Sequence, residues 1–216
     1  MTFKLALFDF DGTLADSFPF FISVFNQLAQ EHRFKSIAMH EIEALRGHDA
    51  RRMMKHVGLP WWKFPMVSKD FIKMMNQNTH NIALFEGVAD ALAYLAKHSI
   101  SLSIVSSNSR ANVSQILGNQ CVELFSSIEC GASVFGKATR LRRVLKHMNI
   151  RPQDAIYIGD QATDIEAARA SKIAFGAVAW GYATMGSLRA HHPDMEFHSP
   201  LDLKKLALPT KQQRDE

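Results

Sequence analysis

Cysteine is almost absent from this chain. The two present, Cys121 and Cys130, lie nine residues apart in apolar surroundings. That spacing and context fit small packed side chains better than a disulfide framework, and they offer no zinc-binding pattern. Long hydrophobic runs are missing as well. No stretch approaches the ~18 apolar residues of a membrane span. The N-terminal apolar run is broken within a few residues by Asp9, and no small-residue cleavage site follows, unlike a secretory leader. A cytoplasmic location is the resulting expectation. There are no repeats or low-complexity tracts, and no aromatic RNA-binding signature. The net charge of +4 is spread along the chain, with one denser group at Arg140, Arg142, Arg143 and Lys146. Nucleic acid and membrane are therefore not expected as partners.

What is present is concentrated near the start. Residues 5–17 read Leu-Ala-Leu-Phe-Asp-Phe-Asp-Gly-Thr-Leu-Ala-Asp-Ser. An apolar strand here ends on Asp9 and Asp11, whose side chains project to one face because strand residues alternate. Two neighbouring buried carboxylates repel each other and lose hydration. A divalent cation removes both costs, and carboxylate oxygens are what Mg²⁺ prefers. Gly12 permits the tight turn that would open such a site to a ligand.

The 216 residues, 47% of them apolar, make one ordinary domain or a core with a modest insert. Further short apolar runs at Leu102–Val105, Ala155–Ile158 and Ala174–Ala179 predict buried strands, with a shorter one at Ile128–Cys130. Helical spacing links Val88, Leu92 and Leu95, and again Leu141, Val144, Leu145 and Met148. Strands alternating with helices predict an α/β fold of Rossmann-like type, a parallel sheet flanked by helices. Ligands of such sheets bind beyond the strand C-termini. Residues 15–84 break this rhythm. They hold helix-like stretches near Phe18–Glu31, His40–Leu45, Ala50–Val57 and Trp62–Gln77. The division expected is a core of residues 1–14 and 85–208, an all-helical cap of 15–84 inserted after the first strand, and a polar tail at 209–216.

The other strand ends carry chemistry too. Leu102–Val105 runs into Ser106-Ser107-Asn108-Ser109, whose hydroxyls and amides suit a phosphoryl oxygen, as they also suit a plain helix cap. Lys137 stands at the start of a helix, the unfavourable end of the dipole for a cation, which hints at an anionic partner. The third end reads Gly159-Asp160-Gln161-Ala162-Thr163-Asp164. Both acids could reach a metal held by Asp9, or simply favour a helix N-terminus. Gly131 to Lys137 also fits the frame of a nucleotide-binding P-loop. Ala138 stands where that loop needs Ser or Thr, and Asp9 and Asp11 would be left without a role.

In order and position these motifs resemble the haloacid dehalogenase-like superfamily. Within it they are most similar in style to phosphoglycolate phosphatase-like and β-phosphoglucomutase-like members with a C1-type helical cap. The resemblance spans about residues 3–208. It implies a phosphoric monoester hydrolase: a Mg²⁺-dependent phosphatase of a small phosphorylated metabolite, phosphoglycolate or a sugar phosphate. It implies Asp9 as nucleophile forming an aspartyl-phosphate, Asp11 as acid and then base, and Ser106 (or Ser107) with Lys137 as phosphoryl anchors. The metal set implied is Asp9, Asp11 through its backbone carbonyl, Asp160 and, as outer support, Asp164. Gly12, Thr13, Ser107 and Asn108 would border the phosphate. Asp11 argues against dehalogenation, since halide leaves without a proton. Ala138 replaces the proline common after the lysine in related phosphatases.

For the cap, Arg46, Gly47 and His48 are the candidate substrate contacts; a helix-ending glycine with solvated neighbours accounts for them equally well. Trp61 and Trp62 are expected in core packing ahead of a role in a pocket, and His191-His192 in a loop. A phosphomutase that passes the phosphoryl group to a second hydroxyl, or a non-catalytic phosphate-binding module, are the alternatives. A monomer or weak homodimer is expected.

Overall fold

The computed structural model describes residues 3–46, 50–131 and 136–208. Six parallel strands form one sheet: β1 (Leu5–Phe8), β2 (Ser101–Ser106), β3 (Phe125–Cys130), β4 (Ala155–Gly159), β5 (Ala174–Val178) and β6 (Met195–Phe197). Their spatial order is β3-β2-β1-β4-β5-β6. The four residues of β1 are all buried, as a central strand covered on both faces requires. Leu5 is in register with Ser101 on one side and Ala155 on the other.

Side-chain alternation divides the core. Ala6 and Phe8 join the cluster formed with α5 (Val88–Lys97) and α6 (Arg110–Val122). Leu5 and Leu7 join Leu141, Val144, Ile165 and Leu188, from α7 (Lys137–Met148), α8 (Ala162–Ala170) and α9 (Met185–Arg189). Helices thus cover both faces of a parallel sheet, the Rossmann-like α/β arrangement. The strand order changes direction at β1, so the crevice beyond the ends of β1 and β4 is the natural ligand site.

Between β1 and α5 the chain builds α1 (Phe18–His32), α2 (Ile42–Leu45), α3 (Ala50–Val57) and α4 (Phe64–Gln77). Short 3₁₀ turns at Met39–Glu41 and Trp61–Lys63 precede α2 and α4. Pro19 and Pro65 stand in the first turns of α1 and α4, where a missing N–H costs nothing. The outgoing and returning segments pair through Asp16 N to Ala83 O at 2.9 Å and Phe85 N to Leu14 O at 3.0 Å.

Several details depart from the expected pattern. β3 begins at Phe125, three residues early; its Ser126, Ser127 and Glu129 leave only Ile128 buried, so no apolar run announces it. β6 is three residues long with one buried side chain, Phe197, too short to show a period. Trp61 and Trp62 are 77% and 64% exposed and meet only edge to face, so they are not in the core. No helix among the described residues is long and apolar enough to cross a membrane. Cys121 and Cys130 are free thiols.

Candidate active site

Three strand ends and two helix starts converge in the β1–β4 crevice. Asp9 follows β1 directly, and its backbone N–H donates to Ile158 O of β4 at 2.8 Å, which fixes the two ends side by side. Its side chain is buried, with Oδ2 2.8 Å from Lys137 Nζ. Oδ1 has no hydrogen-bond partner among the described residues. Lys137, in the first turn of α7, is also buried and lies 2.6 Å from Asp164 Oδ1.

Asp164 sits in the first turn of α8. Its Oδ2 accepts from Gln161 N at 3.1 Å as a helix cap, and its Oδ1 also accepts from Tyr157 Oη at 3.2 Å. Asp160, after β4, accepts from Thr13 Oγ1 at 3.2 Å and from Tyr182 N at 2.8 Å. One carboxylate oxygen from each of Asp9, Asp160 and Asp164 can be chosen so that all lie within 4.8 Å of one another. Asp11 is outside that cluster; its Oδ2 accepts from Asn108 Nδ2 at 2.9 Å.

The electrostatics follow from this crowding. Burial, opposed by Lys137 and reinforced by Asp164, pushes the Asp9 carboxyl up to about 7. Burial also raises Asp11, opposed by the nearby Ser17 hydroxyl and by the hydrogen bond from Asn108. It raises Asp160 strongly, with the charges of Asp164 and Asp9 adding to the effect. For Lys137 burial acts downward, but the carboxylates of Asp164 and Asp9 outweigh it and hold the ammonium above its ordinary value.

Glycines make the close approach possible. Gly12 has φ +78°, and a Cβ there would stand 2.4 Å from Asp160 Oδ2. At Gly181 a Cβ would come within 2.2 Å of Asp160 Cβ. Trp180 Nε1 donates to Thr13 O at 3.0 Å, and Tyr182 Oη pairs with Ser17 Oγ at 2.9 Å. The Trp180-Gly181-Tyr182 turn after β5 therefore clamps the loop after β1. The turn carries no charge at the strand end to mark it in sequence; its signal is a glycine between two aromatics just past an apolar run.

The site opens into a cavity of about 480 Å³ bordered by Asp9, Asp11, Ser107, Asn108, Lys137 and Arg46. Ser106 lies underneath, its Oγ accepting from Asn108 N at 3.1 Å. Thr13 is buried and occupied with Asp160. Arg46 reaches from the helical segment to Gly181 O at 2.7 Å and Tyr182 O at 3.4 Å, its guanidinium 5.1 Å from the Phe18 ring centre. Phenyl rings of Phe18, Phe21 and Phe71 line the far wall. His191 also borders the cavity, a position its loop setting gave no sign of in sequence. Gly47 and His48 lie outside the described residues, as do residues 132–135 of the P-loop frame.

This fold has known counterparts. The family model of haloacid dehalogenase-like hydrolases matches residues 6–178. The phosphoglycolate phosphatase of Synechococcus elongatus is 33% identical over 198 residues, 91% of this chain and 93% of that protein. A haloacid dehalogenase-like hydrolase of Streptococcus pneumoniae superposes with TM-score 0.77 at 23% identity, over 93% of this chain and 96% of that one. CbbY of Rhodobacter sphaeroides, solved with phosphate, gives TM-score 0.68 at 22% identity, over 94% and 96%. The chain belongs to the haloacid dehalogenase-like hydrolase family.

Proposed function

We propose that the protein is a Mg²⁺-dependent phosphatase that hydrolyses a small phosphomonoester, phosphoglycolate or a sugar phosphate, through an aspartyl-phosphate on Asp9. The observation that carries this reading is Asp9 Oδ1. It is a buried carboxylate oxygen without a partner among the described residues, beside two more buried carboxylates, on a residue that borders the cavity. Buried polar atoms are nearly always satisfied, so such an oxygen calls for a ligand. A hard cation with a preference for oxygen fits this donor set. Asp9, Asp160 and the Asp11 carbonyl would hold Mg²⁺, with Asp164 in support. When bound, the ion supplies charge shielding between the carboxylate and the phosphate oxygens.

The chain's own groups do the rest. An Asp9 oxygen attacks phosphorus in line, and the bond from phosphorus to the leaving oxygen breaks. Asp11, raised by burial and so able to carry a proton, gives it to that leaving oxygen. Asp11 then takes a proton from water, whose oxygen attacks phosphorus and frees phosphate and Asp9. Lys137 holds Asp9 in place and presents its ammonium to the phosphoryl oxygens. Ser107 borders the cavity, while Ser106 holds the turn beneath it; the two together are the phosphoryl anchor we propose. Residues 15–84 serve as a cap over a core of 1–14 and 85–208, with Arg46 facing the non-reacting end of the substrate. The Synechococcus elongatus relative supports phosphoglycolate as the first substrate to try. The setting proposed is cytoplasmic, with the chain acting as a monomer or weak dimer.

The test is phosphate release from a panel of small phosphomonoesters, with Mg²⁺ or EDTA, for wild type and Asp9→Asn. Release should require Mg²⁺ and vanish in the variant. Full activity of Asp9→Asn would overturn the mechanism. An isomerised sugar phosphate without free phosphate would make the protein a mutase.

A further inference from the structure

Asn108 is buried at the start of the segment leading into α6, and both ends of its carboxamide are engaged. Oδ1 accepts from Ser109 N at 2.7 Å and from Asn112 Nδ2 at 3.0 Å. Two donors on that atom fix which way the amide points. Nδ2 therefore faces Asp11 Oδ2 at 2.9 Å, and its other close neighbour is Met75 Sδ of α4, at 3.0 Å. Asn112 in turn donates to Ile72 O of α4 at 3.2 Å. Through Ile72 and Met75, α4 thus meets the two asparagines that lead to Asp11.

We infer that Asn108 is a positioning residue for proton transfer, selecting the Asp11 oxygen that carries the proton. The inference rests on the phosphatase reading above. An amide N–H can only donate, so Asp11 Oδ2 is held as an acceptor and the proton resides on Oδ1. As the bond between phosphorus and the ester oxygen breaks, that proton passes to the departing oxygen and Asp11 is left ionised. The role differs from a direct phosphate contact, because the carboxamide is already occupied by protein groups.

The experiment compares two esters with the intact protein and Mg²⁺. An alkyl phosphate needs a proton on its leaving oxygen; p-nitrophenyl phosphate releases a phenolate that departs without one. A misplacement of about 1 Å can cost about 10²-fold in rate. Asn108→Ala should therefore lower kcat for the alkyl ester by about 10- to 100-fold with KM little changed, and lower p-nitrophenyl phosphate turnover at least about 5-fold less, since only the leaving-group step differs between the two. In an Asp11→Asn background the same change should add nothing, since both act on one proton. Asn108→Leu keeps much of the bulk, removes the donor without adding charge and should reproduce the pattern where the alanine variant folds poorly. Equal losses on both esters, or additive effects in the double variant, would overturn the inference. No release from either ester by wild type would instead overturn the phosphatase reading itself.

Discussion

Asp9 is asked to be buried, ionised and nucleophilic at once, and its surroundings oppose the second of these. In the folded chain its carboxyl holds a proton up to about 7, against an ordinary value of 3.8. Between those values the folded state binds more protons than the unfolded one. Stability contributed at this position is therefore present at low pH and lost as pH rises from about 4 to about 7. Asp9→Asn cannot ionise, and Lys137 keeps Asp164 as a partner. In EDTA the variant should show a flatter dependence across that window and exceed wild type in stability near pH 7. Denaturant titrations at both ends of the window check this; a wild type that grows more stable with pH there would contradict it. Much of this residue-level picture was legible in sequence, because a carboxylate at the end of a buried strand is costly unless a ligand or a cation meets it. Asp9, Asp11 and Asp160 were readable that way, and Asp164 by its place four residues on, at a helix start. Tyr182 was not, and of Asn108 only its place near the phosphate was; the bonds of Tyr182 to Asp160 and of Asn108 to Asp11 span 22 and 97 positions of chain.

At the scale of elements, strands buried on both faces were plain from composition, while β6 and the first half of β3 were not. An edge strand with serine on its open side carries no apolar run to detect. Helix starts carry more of the site than periodicity suggests. α6 begins with Ser109, whose Oγ accepts from Asn112 N at 3.2 Å, one step from the amides that hold Asp11. Removing that cap by Ser109→Ala should cost about 0.5–2 kcal/mol, as such caps do. Thermal unfolding would measure the loss, and no change would mean water replaces the hydroxyl. Inside α6 the backbone leaves the helical region at Gly118, with φ 69° and ψ 164°. The helix is thus two short segments, which is why no single apolar stripe marked it.

For the molecule as a whole, Mg²⁺ binding should couple to stability, because unfolding scatters Asp9 and Asp160 far apart along the chain. A ligand at about 100 times its Kd adds about 2.7 kcal/mol. For a chain of this size that corresponds to a rise in melting temperature of roughly 5–10 °C. Calorimetry with and without Mg²⁺ should show the rise in wild type and its loss in Asp160→Asn. An equal rise in both would place the ion elsewhere.

The position of β1 has a consequence for how the protein is made. It leaves the ribosome well before both of its neighbours, which begin at Ser101 and Ala155. The centre of the sheet must wait, apolar and unpaired, for most of the chain to be synthesised. Pairing over such separations closes slowly and exposes hydrophobic surface meanwhile. The helices of residues 18–77 emerge during that interval, so they are available to shelter the nascent strand before its partners are.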